Sequence, residues 1–256
     1  MIPTTNLLNA RAYYYKGMYV LELFPVESNS PKGLFVFLHG FPGWSTKNYD
    51  LAERLCLLGY AVLIPHYPGL GLSKGTFSFK GSQEKMGDFL EFAKKEYALP
   101  ISLFGHSWGG HLAIHCCRYV EKLLILFAPL SVFPSGKSLR ALVDGLFEEA
   151  PLDCQNYTPE EMWRELESLG AALSLDNFAS VLKPKALLII HGTNDKVISL
   201  EDSKALVARS IGKADLIEIN DDHLLLQRRR KLLEQVSTWV KINDSMVKQT
   251  PRSCTS

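Results

Sequence analysis

Five short, nearly uninterrupted apolar runs punctuate the chain: Leu34–Leu38, Ala61–Ile64, Ile101–Phe104, Leu123–Phe127 and Ala186–Ile190. They are rich in β-branched and aromatic side chains, as expected of strands covered on both faces. A sixth run, Ala214–Ile219, carries Asp215 and Glu218 among its apolar residues. Between the runs the period changes. Tyr49–Leu58, Ser82–Tyr97, Trp108–Tyr119, Glu201–Ser210 and Leu224–Val240 place apolar residues three and four apart, which predicts helices. Strand–helix–strand alternation of this kind predicts an α/β architecture, a mostly parallel central sheet with helices on both faces. Near the N-terminus, Ala12–Tyr15 and Met18–Pro25 flank Lys16-Gly17 and predict a β-hairpin at one antiparallel edge.

One stretch breaks the alternation. More than fifty residues separate the runs ending at Phe127 and starting at Ala186, more than a crossover requires. Leu139, Leu142, Val143, Leu146 and Phe147 form one amphipathic face there. Thr158-Pro159-Glu160-Glu161 combines a capping box with proline at the first helical position, ahead of Trp163, Leu166 and Leu169. Residues 131–182 are therefore expected to be a small helical cap inserted into a discontinuous core of residues 1–130 and 183–246. Residues 247–256 are polar, contain Pro251, and are expected to be a disordered tail.

At 256 residues, 46% of them hydrophobic, the chain can bury a sizeable core in one α/β domain. Its 28 basic and 27 acidic residues leave a formal charge of +1, so no field of one sign draws it to nucleic acid or an anionic membrane. The five cysteines are odd in number and form no CxxC pair, which points to reduced, buried thiols. Met1–Tyr15 lacks the basic and apolar regions of a secretory leader, and the longest apolar runs fall short of the roughly 20 residues of a membrane helix. A cytoplasmic protein without a membrane span is the expectation.

Four motifs carry candidate chemistry, each directly after an apolar run. Gly105-His106-Ser107-Trp108-Gly109 joins a predicted strand to a predicted helix. A nucleophilic serine needs such a sharp turn, with small neighbours so that strand and helix can approach. His191-Gly192-Thr193-Asn194-Asp195 offers Asp195 as an ionised acid, and Asp221-Asp222-His223 offers His223 as the base. The order Ser107, Asp195, His223 is the one this turn demands, with Asp222 as an alternative acid. His39-Gly40-Phe41-Pro42-Gly43 supplies a loop for an oxyanion. Pro42 has no N–H, so the backbone amides of Phe41 and Trp108 are the expected donors.

Together these motifs resemble the α/β-hydrolase superfamily over nearly the whole chain. Within it they are similar to the monoacylglycerol-lipase, feruloyl-esterase and serine-aminopeptidase-like group. The resemblance implies an eight-stranded α/β-hydrolase fold, the triad of Ser107, Asp195 and His223, and no cofactor. One departure stands out. Relatives often place an acidic or polar residue before the Gly-x-Gly-x-Ser run, where this chain has His66-Tyr67-Pro68 ahead of Gly69-Leu70-Gly71-Leu72-Ser73.

The expected function is hydrolysis of a carboxylic ester of a small or medium acyl substrate through an acyl-enzyme. An amidase or aminopeptidase would need a cap carboxylate for a free amino group, with Glu148, Glu149, Glu160, Glu161 and Glu165 available. A non-catalytic ligand-binding protein of the same fold is the reading from another class. Trp44 and Trp163 are candidate pocket residues. His111 and His115, four apart, have zinc-like spacing but no third ligand nearby, so packing is expected and no metal. Arg228-Arg229-Arg230-Lys231 is expected to be a solvated helix face.

Overall fold

The computed structural model of the chain describes residues 8–26, 30–41, 48–149, 157–173, 186–210 and 212–248. Their strands are β1 (Leu8–Tyr15), β2 (Met18–Pro25), β3 (Leu34–Leu38), β4 (Ala61–Pro65), β5 (Ile101–His106), β6 (Leu123–Phe127), β7 (Ala186–Gly192) and β8 (Ala214–Ile219). Their helices are α1 (Tyr49–Leu57), α2 (Phe79–Tyr97), α3 (Trp108–His115), α4 (Gly136–Glu149), α5 (Pro159–Leu173), α6 (Leu200–Arg209) and α7 (Arg229–Lys248). The strands form one sheet in the order β1-β2-β4-β3-β5-β6-β7-β8. β1 and β2 pair antiparallel at one edge, and every pair from β4 to β8 is parallel. Lys16 and Gly17 both have positive φ, which gives the two-residue hairpin turn that matches strand twist.

The apolar runs are continuous because both faces of the sheet are covered. β3 through β7 are buried along their whole length. Alternate side chains enter two separate cores. Leu34, Val36, Leu124, Leu126, Leu187 and Ile189 join α2, α3 and α6 on one face, while Phe35, Phe37, Ile125, Phe127, Leu188 and Ile190 join α1 and α7 on the other. β8 closes the far edge and is only partly buried, which explains its polar interruptions.

The strand order matters for function. From β3 the chain goes to β4 on one side and then returns to β5 on the other. That reversal opens a crevice at the carboxyl ends of β3 and β5, the usual place for a ligand in an open α/β sheet.

α4 and α5 lie between β6 and β7 in sequence, as the amphipathic pattern of that segment predicts. The Thr158–Glu161 capping box forms in both directions, with Thr158 N–H donating to Glu161 at 2.8 Å and Glu161 N–H donating to Thr158 Oγ1 at 3.1 Å. α5 reaches the start of α2, where Lys80 N–H donates to Glu165 at 3.2 Å.

Two expectations change. α7 starts at Arg229 rather than Leu224, because Asp221 accepts the Arg228 N–H at 2.9 Å and Leu225 adopts φ +55°, a left-handed turn rather than a helix. It runs to Lys248, so the first two residues of the expected tail are helical and 249–256 lie outside the described residues. Arg229 is also not a solvated residue. Its side chain is 13% exposed and ties α7 to α1 through Asp50 at 2.5 and 2.7 Å and Asn48 at 3.1 Å, whereas Arg230 is exposed as expected. Cys56, Cys116 and Cys117 are buried free thiols, and Cys154 and Cys254 lie outside the described residues. Among the described residues no helix is long and apolar enough to cross a membrane.

The opposite, N-terminal end of the strands is fastened by charge. Lys122, just before β6, donates from a buried ammonium to Asp244 of α7 at 2.7 Å and to the Lys32 carbonyl at 3.0 Å. Lys32 adds a second cation 3.3 Å from Asp244. Burial works against the Asp244 charge, but the Lys122 hydrogen bond and the two cations outweigh it and hold the carboxyl below its usual range. Asp244→Asn leaves the Lys122 charge buried without its counter-ion, so urea unfolding at pH 7 is expected to show a loss of about 3 kcal/mol. A carboxyl whose folded pKa is depressed stabilises fully above its unfolded value, about 3.9, and loses that contribution as pH falls toward the folded value. The difference between wild type and variant therefore narrows from pH 5 to pH 3, and a pH-independent difference would refute this account.

Candidate active site

Ser107 sits between β5 and α3 with φ +55° and ψ −117°, a conformation that costs energy for any residue with a side chain. The turn persists because its surroundings overdetermine it. Ser107 N–H donates to Phe127 O at 2.9 Å, and its carbonyl accepts from Gly110 at 2.9 Å and Leu130 at 3.1 Å. A Cβ on Gly109 would lie 1.9 Å from the Leu38 carbonyl oxygen, so only glycine lets α3 approach β3. The result is a serine held at the crevice, half-exposed, with buried residues on either side.

The His39–Phe41 loop passes directly beside it. A Cβ on Gly40 would be 3.2 Å from Ser107 Cβ. β3 and β5 are neighbours in register, Leu38 opposite Gly105, which is why these two loops meet. The Trp108 N–H is at the first turn of α3, where no intrahelical acceptor exists. Neither it nor the Phe41 N–H has a partner among the described residues. Pro42, Gly43 and the candidate pocket residue Trp44 lie outside them.

The candidate acid and base meet at the carboxyl ends of β7 and β8. Asp195 has a fully buried side chain. Its Oδ1 accepts the N–H groups of Val197 at 2.8 Å and Ile198 at 2.9 Å. Its Oδ2 is 2.7 Å from His223 Nδ1 and 3.2 Å from His191 Nε2. Burial works against ionisation, but the hydrogen bonds from His191, His223 and Ile198 and the His223 charge outweigh it and hold the carboxyl well below the usual carboxylate range. Asp222, the alternative acid, instead accepts Leu224 N–H at 2.9 Å and Gln227 at 3.2 Å within its own loop.

The strand that leads into Ser107 also holds His223. His106, one residue before Ser107, has Nε2 3.0 Å from the His223 carbonyl oxygen, with the two rings 5.1 Å apart. That contact depends on which loops the sheet order brings together, so sequence spacing could not have revealed it. Among the described residues Ser107 Oγ makes no hydrogen bond to His223. Catalytic contacts of this kind commonly tighten only with substrate bound.

Further candidates fall into packing. His111 is completely buried, stacked on Trp108 at 4.8 Å, and burial pushes its pKa down to about 3. Trp163 packs from α5 against the same core cluster as Trp108. The buried Ser203–His191 pair, at 2.7 Å, is closed off from solvent on both members and cannot receive a substrate.

Known proteins resemble this chain in sequence and fold. The model of the family described as serine aminopeptidase, S33, matches residues 29–150. A monoacylglycerol lipase of Mycolicibacterium smegmatis is 23% identical, covering 82% of this chain and 88% of that protein. A soluble variant of monoglyceride lipase from Saccharomyces cerevisiae, solved with a substrate analog, superposes with a TM-score of 0.69 at 16% identity, over 94% of this chain and 97% of that one. Est1E from Butyrivibrio proteoclasticus, with ferulic acid bound, gives a TM-score of 0.70 at 20% identity, over 92% and 100%. The likeness to both solved structures is one of fold.

Proposed function

We propose that this chain, a member of the α/β-hydrolase superfamily, is a serine hydrolase that cleaves carboxylic esters of small or medium acyl groups through an acyl-enzyme on Ser107. The observation that carries the reading is the 2.7 Å contact between the buried Asp195 carboxylate and His223 Nδ1, beside a strained serine. Asp195 holds His223 in the tautomer with the proton on Nδ1, which leaves Nε2 as the base. As Ser107 Oγ bonds to the ester carbonyl carbon, His223 Nε2 takes its proton. The oxyanion rests on the Phe41 and Trp108 amides, with the α3 N-terminus adding its dipole. The C–O bond to the alcohol then breaks and the alcohol leaves with the proton from His223. Water repeats the sequence, giving up a proton to His223 as its oxygen attacks the acyl carbon, and releases the acid and Ser107.

In our reading residues 131–182 are the cap over this site, and α5 carries the packed Trp163 within it. The family name raises the aminopeptidase alternative. Three cap carboxylates speak against it because they are already committed. Glu160 pairs with Arg140 at 2.9 Å and Arg164 at 3.0 Å, Glu161 closes the capping box, and Glu165 binds Tyr157 and the Lys80 N–H. The two lipases named among the relatives favour the ester.

A fluorophosphonate probe followed by peptide mass spectrometry is expected to label Ser107, and p-nitrophenyl esters to be turned over faster than aminoacyl-naphthylamides. A protein that hydrolyses esters but carries the label elsewhere would overturn the site. Faster amide turnover would replace the ester reading with the amidase one. A wild-type protein that neither reacts with the probe nor turns over any ester would favour the ligand-binding reading.

A further inference from the structure

His191 stands four residues before Asp195 and has no part in the mechanism above. Its ring is fully buried at the end of β7. Nδ1 lies 2.7 Å from Ser203 Oγ on α6, and Nε2 lies 3.0 Å from the Ile198 carbonyl oxygen and 3.2 Å from Asp195 Oδ2. A carbonyl and an ionised carboxylate only accept, so Nε2 must carry a proton. The Ser203 hydroxyl then completes a neutral ring by donating to Nδ1. Ser203 is itself fully buried, so bulk solvent does not reach either member of the pair.

The two oxygens of Asp195 are thereby divided. Oδ1 is filled by the Val197 and Ile198 N–H groups, and Oδ2 faces two histidines, His223 and His191. We infer that His191 is a positioning residue: its Nε2–H pins Oδ2 of Asp195 opposite His223 Nδ1, and Ser203 fixes the tautomer that makes this possible. The inference rests on the proposed roles of Asp195 and His223. Gly192 makes the geometry feasible, since a Cβ there would lie 2.5 Å from the carbonyl oxygens of Asp221 and Asp222 and push the His223 loop away from β7.

Other ionisable groups around the pair are Asp202 on α6, His106 at the end of β5, the exposed Lys196 beside Asp195, and Asp221 and Asp222 on the loop after β8. Asp221 and Asp222 spend oxygens on backbone N–H groups of their own loop. His191, whose Nε2–H is shared between the Ile198 carbonyl oxygen and Oδ2, is thus the one side chain besides His223 that a hydrogen bond or ion pair places against Oδ2 among the described residues.

The test compares His191→Gln, which keeps an N–H donor, with His191→Leu combined with Ser203→Ala, which removes the donor without stranding the hydroxyl. Losing the donor makes the carboxylate more basic, so it holds the protonated form of the base more firmly. The Leu/Ala protein is expected to lose about tenfold in kcat on p-nitrophenyl acetate at unchanged KM, with the acid limb of its kcat/KM profile about half a unit higher. The Gln protein is expected to keep at least about a third of the wild-type kcat and the wild-type limb. A Leu/Ala protein with wild-type kcat and limb, or a Gln protein equally impaired, overturns the inference. His191→Met with Ser203 intact replaces the double variant if that fails to fold. The low-field proton NMR signal of His223 Nδ1 reads the same hydrogen bond without substrate. It should move in the donor-less protein and stay in the Gln protein, and an unmoved signal overturns the inference. Because this readout needs no turnover, an inactive wild type would refute the hydrolase reading and still leave His191 decided.

Discussion

Ser107→Ala is expected to lower kcat/KM on p-nitrophenyl esters by roughly four to six orders of magnitude, leaving about 10³ of residual acceleration over water from the proposed oxyanion donors and binding. The size follows from the isolation of this hydroxyl. Ser203, which pairs with the His191 ring, is sealed in the core and cannot replace it. The loss falls on kcat, because the amides of Phe41 and Trp108 do not depend on the Ser107 side chain. Folding is unaffected or slightly improved. Ser107 Oγ makes no hydrogen bond among the described residues, and the turn is held by backbone contacts to Phe127, Gly110 and Leu130, which alanine keeps. Steady-state kinetics with a thermal melt in parallel make the measurement. A folded alanine variant within about tenfold of wild type would remove Ser107 from the chemistry.

The sheet was legible in the sequence because burial on both faces leaves little choice of residue. Each of the runs at 34–38, 61–64, 101–104, 123–127 and 186–190 became a strand, some extended by one or two residues at the carboxyl end. Those extensions are themselves informative: His106 and Gly192 continue β5 and β7 into the motifs, so the chemistry begins inside the strand. Helix ends were less legible. Leu224, Leu225 and Leu226 continue an apolar spacing, yet the Asp221 carboxylate caps the chain later, and competition between a local cap and a periodic pattern is settled by tertiary packing. The basic run misled for a related reason. One of its four residues, Arg229, faces inward toward Asp50, a partner 179 positions away.

At the site, residue types and chain order pointed to Ser107, Asp195 and His223, since each follows an apolar run that became a strand. What stayed hidden were two contacts between separate loops, Gly40 against Ser107 and His106 on the His223 carbonyl, whereas His191 on Asp195 is a contact at a spacing of four within one motif. His191 and His106 were both inside the quoted motifs. The Gly40 contact depends on β3 lying next to β5, and the His106 contact on the sheet bringing the ends of β5 and β8 to one side, which no spacing along the chain encodes.

Asp195→Asn is expected to lower kcat by about 10⁴ at neutral pH while the fold is kept. The reason lies in how the carboxylate is divided. The Val197 and Ile198 N–H groups require an acceptor at Oδ1, so an asparagine must orient its carbonyl oxygen there. Its NH₂ is then forced into the place of Oδ2, facing His223 Nδ1 and His191 Nε2. An NH₂ can only donate. His223 therefore accepts at Nδ1 and carries its proton on Nε2, the tautomer that cannot receive the Ser107 proton. The opposite rotamer restores His223 but sets the NH₂ against two backbone donors, each an unsatisfied or repelled buried group costing about 1–3 kcal/mol. Rotation cannot rescue the variant cheaply. Asp222→Asn provides the contrast, because Asp222 supports only Leu224 and Gln227 in its own loop, and its kcat should stay within about threefold of wild type. If Asp222→Asn proved the more damaging of the two, the acid of the triad would have to be reassigned. Raising the pH sharpens the comparison: hydroxide can deprotonate the nucleophile without the base, so the deficit of Asp195→Asn should shrink between pH 8 and pH 10, whereas damage to the fold would give a deficit that pH does not relieve.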